Sequence, residues 1–241
     1  MPRLARTAAG SLHWPMRPIH GEAPGVMSDQ PARSVRQPIF NIPPITAALL
    51  IVNIAVHGFR LLLPDEADDS IIRLFAFIPA RYSAGRLGWP ASIDPISYQF
   101  LHANLTHLFV NMLALLAFGS GVERRLGRWR MLVLTILSGV AAAGAHWAAY
   151  PSSALPVIGA SGAISGLFGG VLRMQARSAA GRRTGLWPLL ALWIIVTVIA
   201  GQTGMPGEPG AQIAWVAHLG GFAFGLVVFG LLDRTTRPPS R

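Results

Sequence analysis

Apolar residues gather into six stretches along the chain, roughly 44–63, 97–119, 131–150, 157–174, 185–202 and 211–232. Each is close to the ~20 residues that a helix needs to cross a bilayer. The third and fifth are almost continuously apolar, whereas the second, fourth and sixth carry polar residues within the run. The pattern predicts an all-α polytopic membrane protein: a disordered tail over 1–42, a six-helix membrane domain over 43–233 and a short tail over 234–241. Residues 1–42 are rich in Arg, Pro, Gly and Ala and lack the apolar core of a signal peptide. Met27 begins a plausible shorter start, so residues 1–26 read as an extension.

Composition agrees with the pattern. Of 241 residues, 52% are hydrophobic and only 12% charged, about half the charge usual in soluble domains. The net charge of +10 comes from Arg alone, with no Lys. In a soluble protein such a balance would suggest nucleic acid; here the Arg residues lie between apolar runs and read as topology signals, which excludes nucleic acid as a partner. There is no Cys, hence no disulfide and no thiolate chemistry.

The Arg residues alternate by loop. Arg3, Arg6, Arg17, Arg33 and Arg36 precede the first stretch, Arg124, Arg125, Arg128 and Arg130 follow the second, Arg173, Arg177, Arg182 and Arg183 the fourth, and Arg234, Arg237 and Arg241 the sixth. Segments 151–156 and 203–210 have none, and in the first loop Arg73, Arg81 and Arg86 are outnumbered by Asp65, Glu66, Asp68, Asp69 and Asp94. Because positive charge stays inside, both termini are expected in the cytoplasm. The short ends and the Arg-heavy composition point to a bacterial inner (plasma) membrane.

That orientation brings polar groups into the outer half of the membrane from three stretches. Ser161 lies near the outer end of the fourth, His218 of the sixth, and His102, His107 and Asn111 descend through the second. Gly162, Gly166 and Gly170 recur every four residues beside Ser161, Ser165 and Gly169, while His218, Gly221 and Gly225 share a face. Strips of small residues let membrane helices approach backbone to backbone, so the fourth and sixth stretches are natural partners that would carry hydroxyl to imidazole. Ser beside neutral His is the minimum for an activated nucleophile. No Asp or Glu lies in the middle of any stretch, which argues for a dyad without a charged third member. The Asn111 amide, the His107 imidazole and the Ser161 N–H are candidate oxyanion donors, and Gly159 and Gly162 suit close backbone approach there. Near the outer end of the first stretch, His57 and Arg60 are expected to snorkel outward. His146, near the outer end of the third stretch and without a partner motif, reads as a packing or interfacially hydrated residue.

Gly159-Ala160-Ser161-Gly162 resembles the Gly-x-Ser-Gly motif of rhomboid intramembrane serine proteases. His107-Leu-Phe-Val-Asn111, preceded by His102, is similar to that family's His-x-x-x-Asn element, and His218 followed by Gly221 and Gly225 resembles its catalytic His with spaced glycines. Glu123-Arg124-Arg125-Leu126-Gly127 also looks like the family's segment after the second span. The resemblance implies a six-transmembrane-helix rhomboid-like bundle, with Ser161 as nucleophile and His218 as base. His107, Asn111 and the Ser161 N–H would form the oxyanion site, with His102 nearby, and transmembrane proteins would be the substrates. No metal or other cofactor is implied. Two departures stand out: Ser165 replaces an aromatic residue four places after the nucleophile, and the Trp-Arg pair of the first outer loop is missing, with Trp89 and Arg86 the nearest candidates.

Each feature alone has a plainer reading. A single Ser161 is more often a packing serine, and small-residue rows are mainly packing grammar. Polar residues within membranes are costly and usually functional, and here several converge at one depth. The alternatives are a rhomboid-like pseudoprotease that binds membrane proteins without cleavage, or a small transporter. No His-Glu-x-x-His motif supports a metalloprotease.

Overall fold

The computed structural model describes residues 41–85, 88–177 and 215–234, together with 188, 190, 191, 193–195 and 197. The tail over 1–40, most of the fifth apolar stretch and residues 235–241 lie outside the described residues. Among the described residues the chain is helical, and its one strand-like feature is an isolated antiparallel bridge between Phe77 and Val157.

The helices are α1 (Pro44–Arg60), α2 (Asp65–Phe75), α3 (Pro79–Ser83), α4 (Trp89–Ser97), α5 (Leu105–Ala114), α6 (Ser120–Leu126), α7 (Arg128–Ala149), α8 (Ser161–Arg177) and α9 (Trp215–Arg234). A π-helical turn over Leu115–Gly119 joins α5 to α6, giving one helical stretch over Leu105–Leu126. That stretch, Arg128–Ala149 and Trp215–Asp233 are long and apolar enough to cross a bilayer. The first and fourth expected spans are helices of 17 residues each, α1 and α8.

Two boundaries differ from the hydropathy pattern. The second apolar stretch is not one helix from residue 97: a 3-10 turn over Tyr98–Phe100 is followed by an irregular segment before α5 begins at Leu105. Asn104 stops the chain there, because its side chain accepts the His107 N–H at 2.8 Å and caps α5. The fourth stretch is extended over its first residues, with Val157 paired to Phe77, and becomes helical only at Ser161. Both deviations fall in apolar sequence, where hydropathy cannot tell helix from extended chain.

The membrane helices are tied at one end by charge. The buried Glu123 carboxylate accepts the N–H groups of Ile45 and Thr46 at 2.9 and 2.7 Å and the Thr46 hydroxyl at 2.8 Å, so it caps α1 from α6. Arg125 pairs with Asp233 at the end of α9 at 2.7 Å. At the other end, α2 to α4 form the connection between α1 and α5. Its Asp94 is completely buried, paired with Arg81 and accepting the Tyr82 hydroxyl. Burial holds the Asp94 carboxyl above the usual carboxylate range despite those two partners, and it pushes the Tyr82 phenol up as well.

α9 packs on α8 and α7, and its glycines set the spacing. A Cβ on Gly221 would run into the Gly162 carbonyl, and one on Gly225 into the Gly166 backbone. The two glycine rows therefore meet strip to strip. Beyond them Phe222 stacks on Trp193 with ring centroids 4.6 Å apart, and Phe168 sits against both rings, so the described part of the fifth stretch is anchored by aromatic packing.

Candidate active site

Ser161 heads α8 because the residues before it are held away from helical geometry. The Gly159 N–H donates to the Tyr98 carbonyl at 2.9 Å, and Gly159 has φ +122°, a region that residues with a Cβ rarely enter. A Cβ there would also stand 2.9 Å from both Cε1 and Nε2 of His107 and 3.7 Å from Ser161 Oγ. Glycine is needed at this position for its torsion and for the space, which the His107 ring edge and the Ser161 hydroxyl both border. As the first residue of the helix, Ser161 contributes an N–H without an intrahelical partner, as do the next two residues. This end also carries the positive pole of the α8 dipole.

His218 sits one turn from the start of α9, and Gly221 and Gly225 press its face onto α8. His218 Nε2 and Ser161 Oγ are 2.7 Å apart. With the ring proton on Nδ1, Nε2 accepts the hydroxyl proton. Both residues, and His107, are half-buried. Among the described residues no carboxylate is bonded to His218. Ser165, where an aromatic residue was noted as missing, donates its hydroxyl to the Ser161 carbonyl at 2.8 Å and so braces the first turn of α8.

The other sequence candidates fall around this pair. Gly162 packs under Ala142 and the Tyr98 hydroxyl. His102 is completely buried, and its ring meets that of His107 edge to face at 5.1 Å. Asn111 is buried, and its amide donates to the His107 carbonyl at 2.9 Å. One of its two N–H bonds is therefore committed to its own helix.

Three residues behave differently from their sequence reading or were not singled out. His57 and Arg60 do not snorkel outward: they are 3% and 6% exposed, and Arg60 turns inward to reach the His102 carbonyl. The acidic loop supplies Asp68 to neutralise it, so the guanidinium has no need of water. Tyr98 was not recognised as part of the site. Its carbonyl holds Gly159 and its hydroxyl donates to the Gly139 carbonyl at 2.7 Å, which ties the turn before Ser161 to α7. Nothing in its apolar surroundings signals that role. Arg86 lies outside the described residues, and Trp89 is an exposed residue set edge to face on Phe75.

Comparison with known proteins gives the arrangement a context. A family model described as "Rhomboid domain" matches residues 92–234. Rhomboid protease AarA of Providencia stuartii is 34% identical over 138 residues, covering 51% of this chain and 48% of that protein. RHOMBOID-like protein 4 of Arabidopsis thaliana is 34% identical over 140 residues, covering 58% and 34% respectively. Rhomboid protease GlpG of Yersinia pestis (strain Pestoides F) is 28% identical over 192 residues, covering 77% and 61%. The matched part of the chain thus spans less than two thirds of each of these relatives.

Proposed function

The chain belongs to the rhomboid family of integral membrane proteins, and from that premise we propose that it is an intramembrane serine endopeptidase, hydrolysing peptide bonds in or near the transmembrane segments of other membrane proteins. The observation that carries the reading is the 2.7 Å hydrogen bond between His218 Nε2 and Ser161 Oγ, both half-buried.

In the proposed reaction His218 takes the hydroxyl proton as Ser161 Oγ attacks the scissile carbonyl, and a tetrahedral intermediate forms. His107, Asn111 and the Ser161 N–H hold its oxyanion; each such donor is worth roughly 2.7–4 kcal/mol in other enzymes. His218 then returns the proton to the departing amine, and water, activated by the same imidazole, hydrolyses the acyl-enzyme. A helical substrate hides its carbonyls in i→i+4 hydrogen bonds. The favoured target is therefore a membrane segment that unwinds easily near the outer face through Gly, Pro or other small residues. The reading includes six crossings, with residues 185–202 as the fifth, and both termini in the cytoplasm, as the Arg distribution supports.

The test is incubation of the purified protein in vesicles with a single-pass model substrate, alongside labelling by a fluorophosphonate. Cleavage and labelling should both vanish in Ser161→Ala, and cleavage should vanish in His218→Ala. Cleavage by Ser161→Ala at the wild-type rate sinks the mechanism. Folded wild-type protein that binds the substrate, leaves it intact and takes no label favours the pseudoprotease.

A further inference from the structure

At the end of α1 the guanidinium of Arg60 is buried and engaged through all three of its nitrogens. Nε and Nη2 bind the two Asp68 carboxylate oxygens at 2.6 and 2.9 Å, and Nη1 donates to the His102 carbonyl at 2.6 Å. A buried cation is tolerated only when its donors are satisfied, and the planar fork meets both partners at once, which a Lys ammonium does not do. The peptide it holds belongs to neither neighbouring helix. His102 follows the 3-10 turn over Tyr98–Phe100 and precedes the Asn104 cap of α5, outside both hydrogen-bond ladders. Side-chain contacts therefore decide where this peptide sits.

From that peptide a run of side-chain contacts leads toward the reacting pair. The His102 ring meets the His107 ring at 5.1 Å, and the His107 edge borders the space at Gly159 that Ser161 Oγ also borders. The Asn104 side chain two residues on fixes the His107 N–H at 2.8 Å. Arg60 itself bonds neither Ser161 nor His218.

We propose that Arg60, oriented by Asp68, is a positioning residue for the oxyanion side of the site: by holding the His102 carbonyl it sets the distance of His107 and the first turn of α5 from Ser161. The inference rests on Ser161 being the nucleophile. Its effect should appear in the chemical step, because a displacement of about 1 Å far from the chemistry can cost about 10²-fold in rate.

The experiment measures kcat, KM and melting temperature on a single-pass substrate in vesicles, with kcat normalised to the protein that a fluorophosphonate labels. Arg60→Met should lower kcat about 10²-fold with KM changed less than about twofold, while labelling at Ser161 persists. Arg60→Gln keeps a donor for the His102 carbonyl without the ion pair, and should recover a substantial part of kcat relative to Arg60→Met. The exchange Arg60→Asp with Asp68→Arg restores the ion pair but offers the carbonyl no donor from position 60, so melting temperature should recover while kcat does not. The proposal is overturned if Arg60→Met keeps normalised kcat within twofold of wild type, if Arg60→Gln is no better than Arg60→Met, or if the exchange restores kcat together with stability. Should the exchanged protein not fold, the comparison of Gln with Met decides. Failure of the nucleophile assignment looks different: wild-type protein takes no label at Ser161, and Ser161→Ala cleaves as wild type does.

Discussion

Exchanging Gly221 for Ala adds one carbon to the face of α9 that rests on α8. In the native packing that carbon would overlap the Gly162 carbonyl oxygen, with the carbonyl carbon only 2.9 Å away. Carbon–oxygen contacts begin near about 3.3 Å, and the overlapping oxygen sets the demand, so the helices must part by more than about 1 Å. His218 is three residues from the insertion, on the same face. If the displacement reaches it in full, its 2.7 Å contact with Ser161 opens beyond about 3.7 Å, past the limit of a useful hydrogen bond. General-base assistance is worth about 10²–10⁴-fold, and kcat should fall by a factor in that range. Overpacking itself costs about 1–3 kcal/mol, which for a chain of this size lowers the melting temperature by roughly 2–12 °C. Activity is thus lost far more steeply than stability. The assay is cleavage of a single-pass substrate well below the variant's melting temperature, with Gly144→Ala as control, since a Cβ on Gly144 meets nothing within 4 Å. If Gly221→Ala cleaves within twofold of wild type, or Gly144→Ala loses as much, close packing of α8 on α9 does not set the catalytic distance.

Two further perturbations probe the ends of the bundle. Glu123→Gln removes the charge from a carboxylate that receives three hydrogen bonds from the start of α1; since hydrogen bonds to charged groups are worth about 1.5–3 kcal/mol each, the melting temperature should drop clearly while kcat of the folded fraction is retained. Burial raises the Asp94 carboxyl in the folded chain above its unfolded value, so its contribution to stability is complete below the unfolded pKa and is lost as pH rises through the folded one. Melting temperature measured upward from acid pH should therefore fall across the carboxylate range, and Asp94→Asn should flatten that slope; an unchanged slope would assign the dependence to another group.

Much of the site can be read from residue type and spacing. Ser161 and His218 stand out because a bilayer makes polar groups rare, and Gly221 and Gly225 stand out because rows of glycine on one helix face have few uses other than close packing. The same reasoning places Arg60 wrongly. It treats an Arg near a helix end as a side chain seeking water, because the partner that keeps it inside, Asp68, lies in the first turn of α2, whose placement against α1 periodicity does not describe.

The sequence by itself determined the solvent of this protein, the number and order of its apolar stretches, and the chemical groups available within them, because hydropathy reports transfer into lipid residue by residue. Only the tertiary structure decided where helix gives way to extended chain before Leu105 and Ser161, which carboxylate caps α1, and which carbonyl Arg60 holds. Those outcomes depend on satisfying backbone and buried polar groups across long separations, such as Thr46 with Glu123 and Gly159 with Tyr98. A pairing of that kind is a property of the packed chain as a whole and leaves no periodic trace along it.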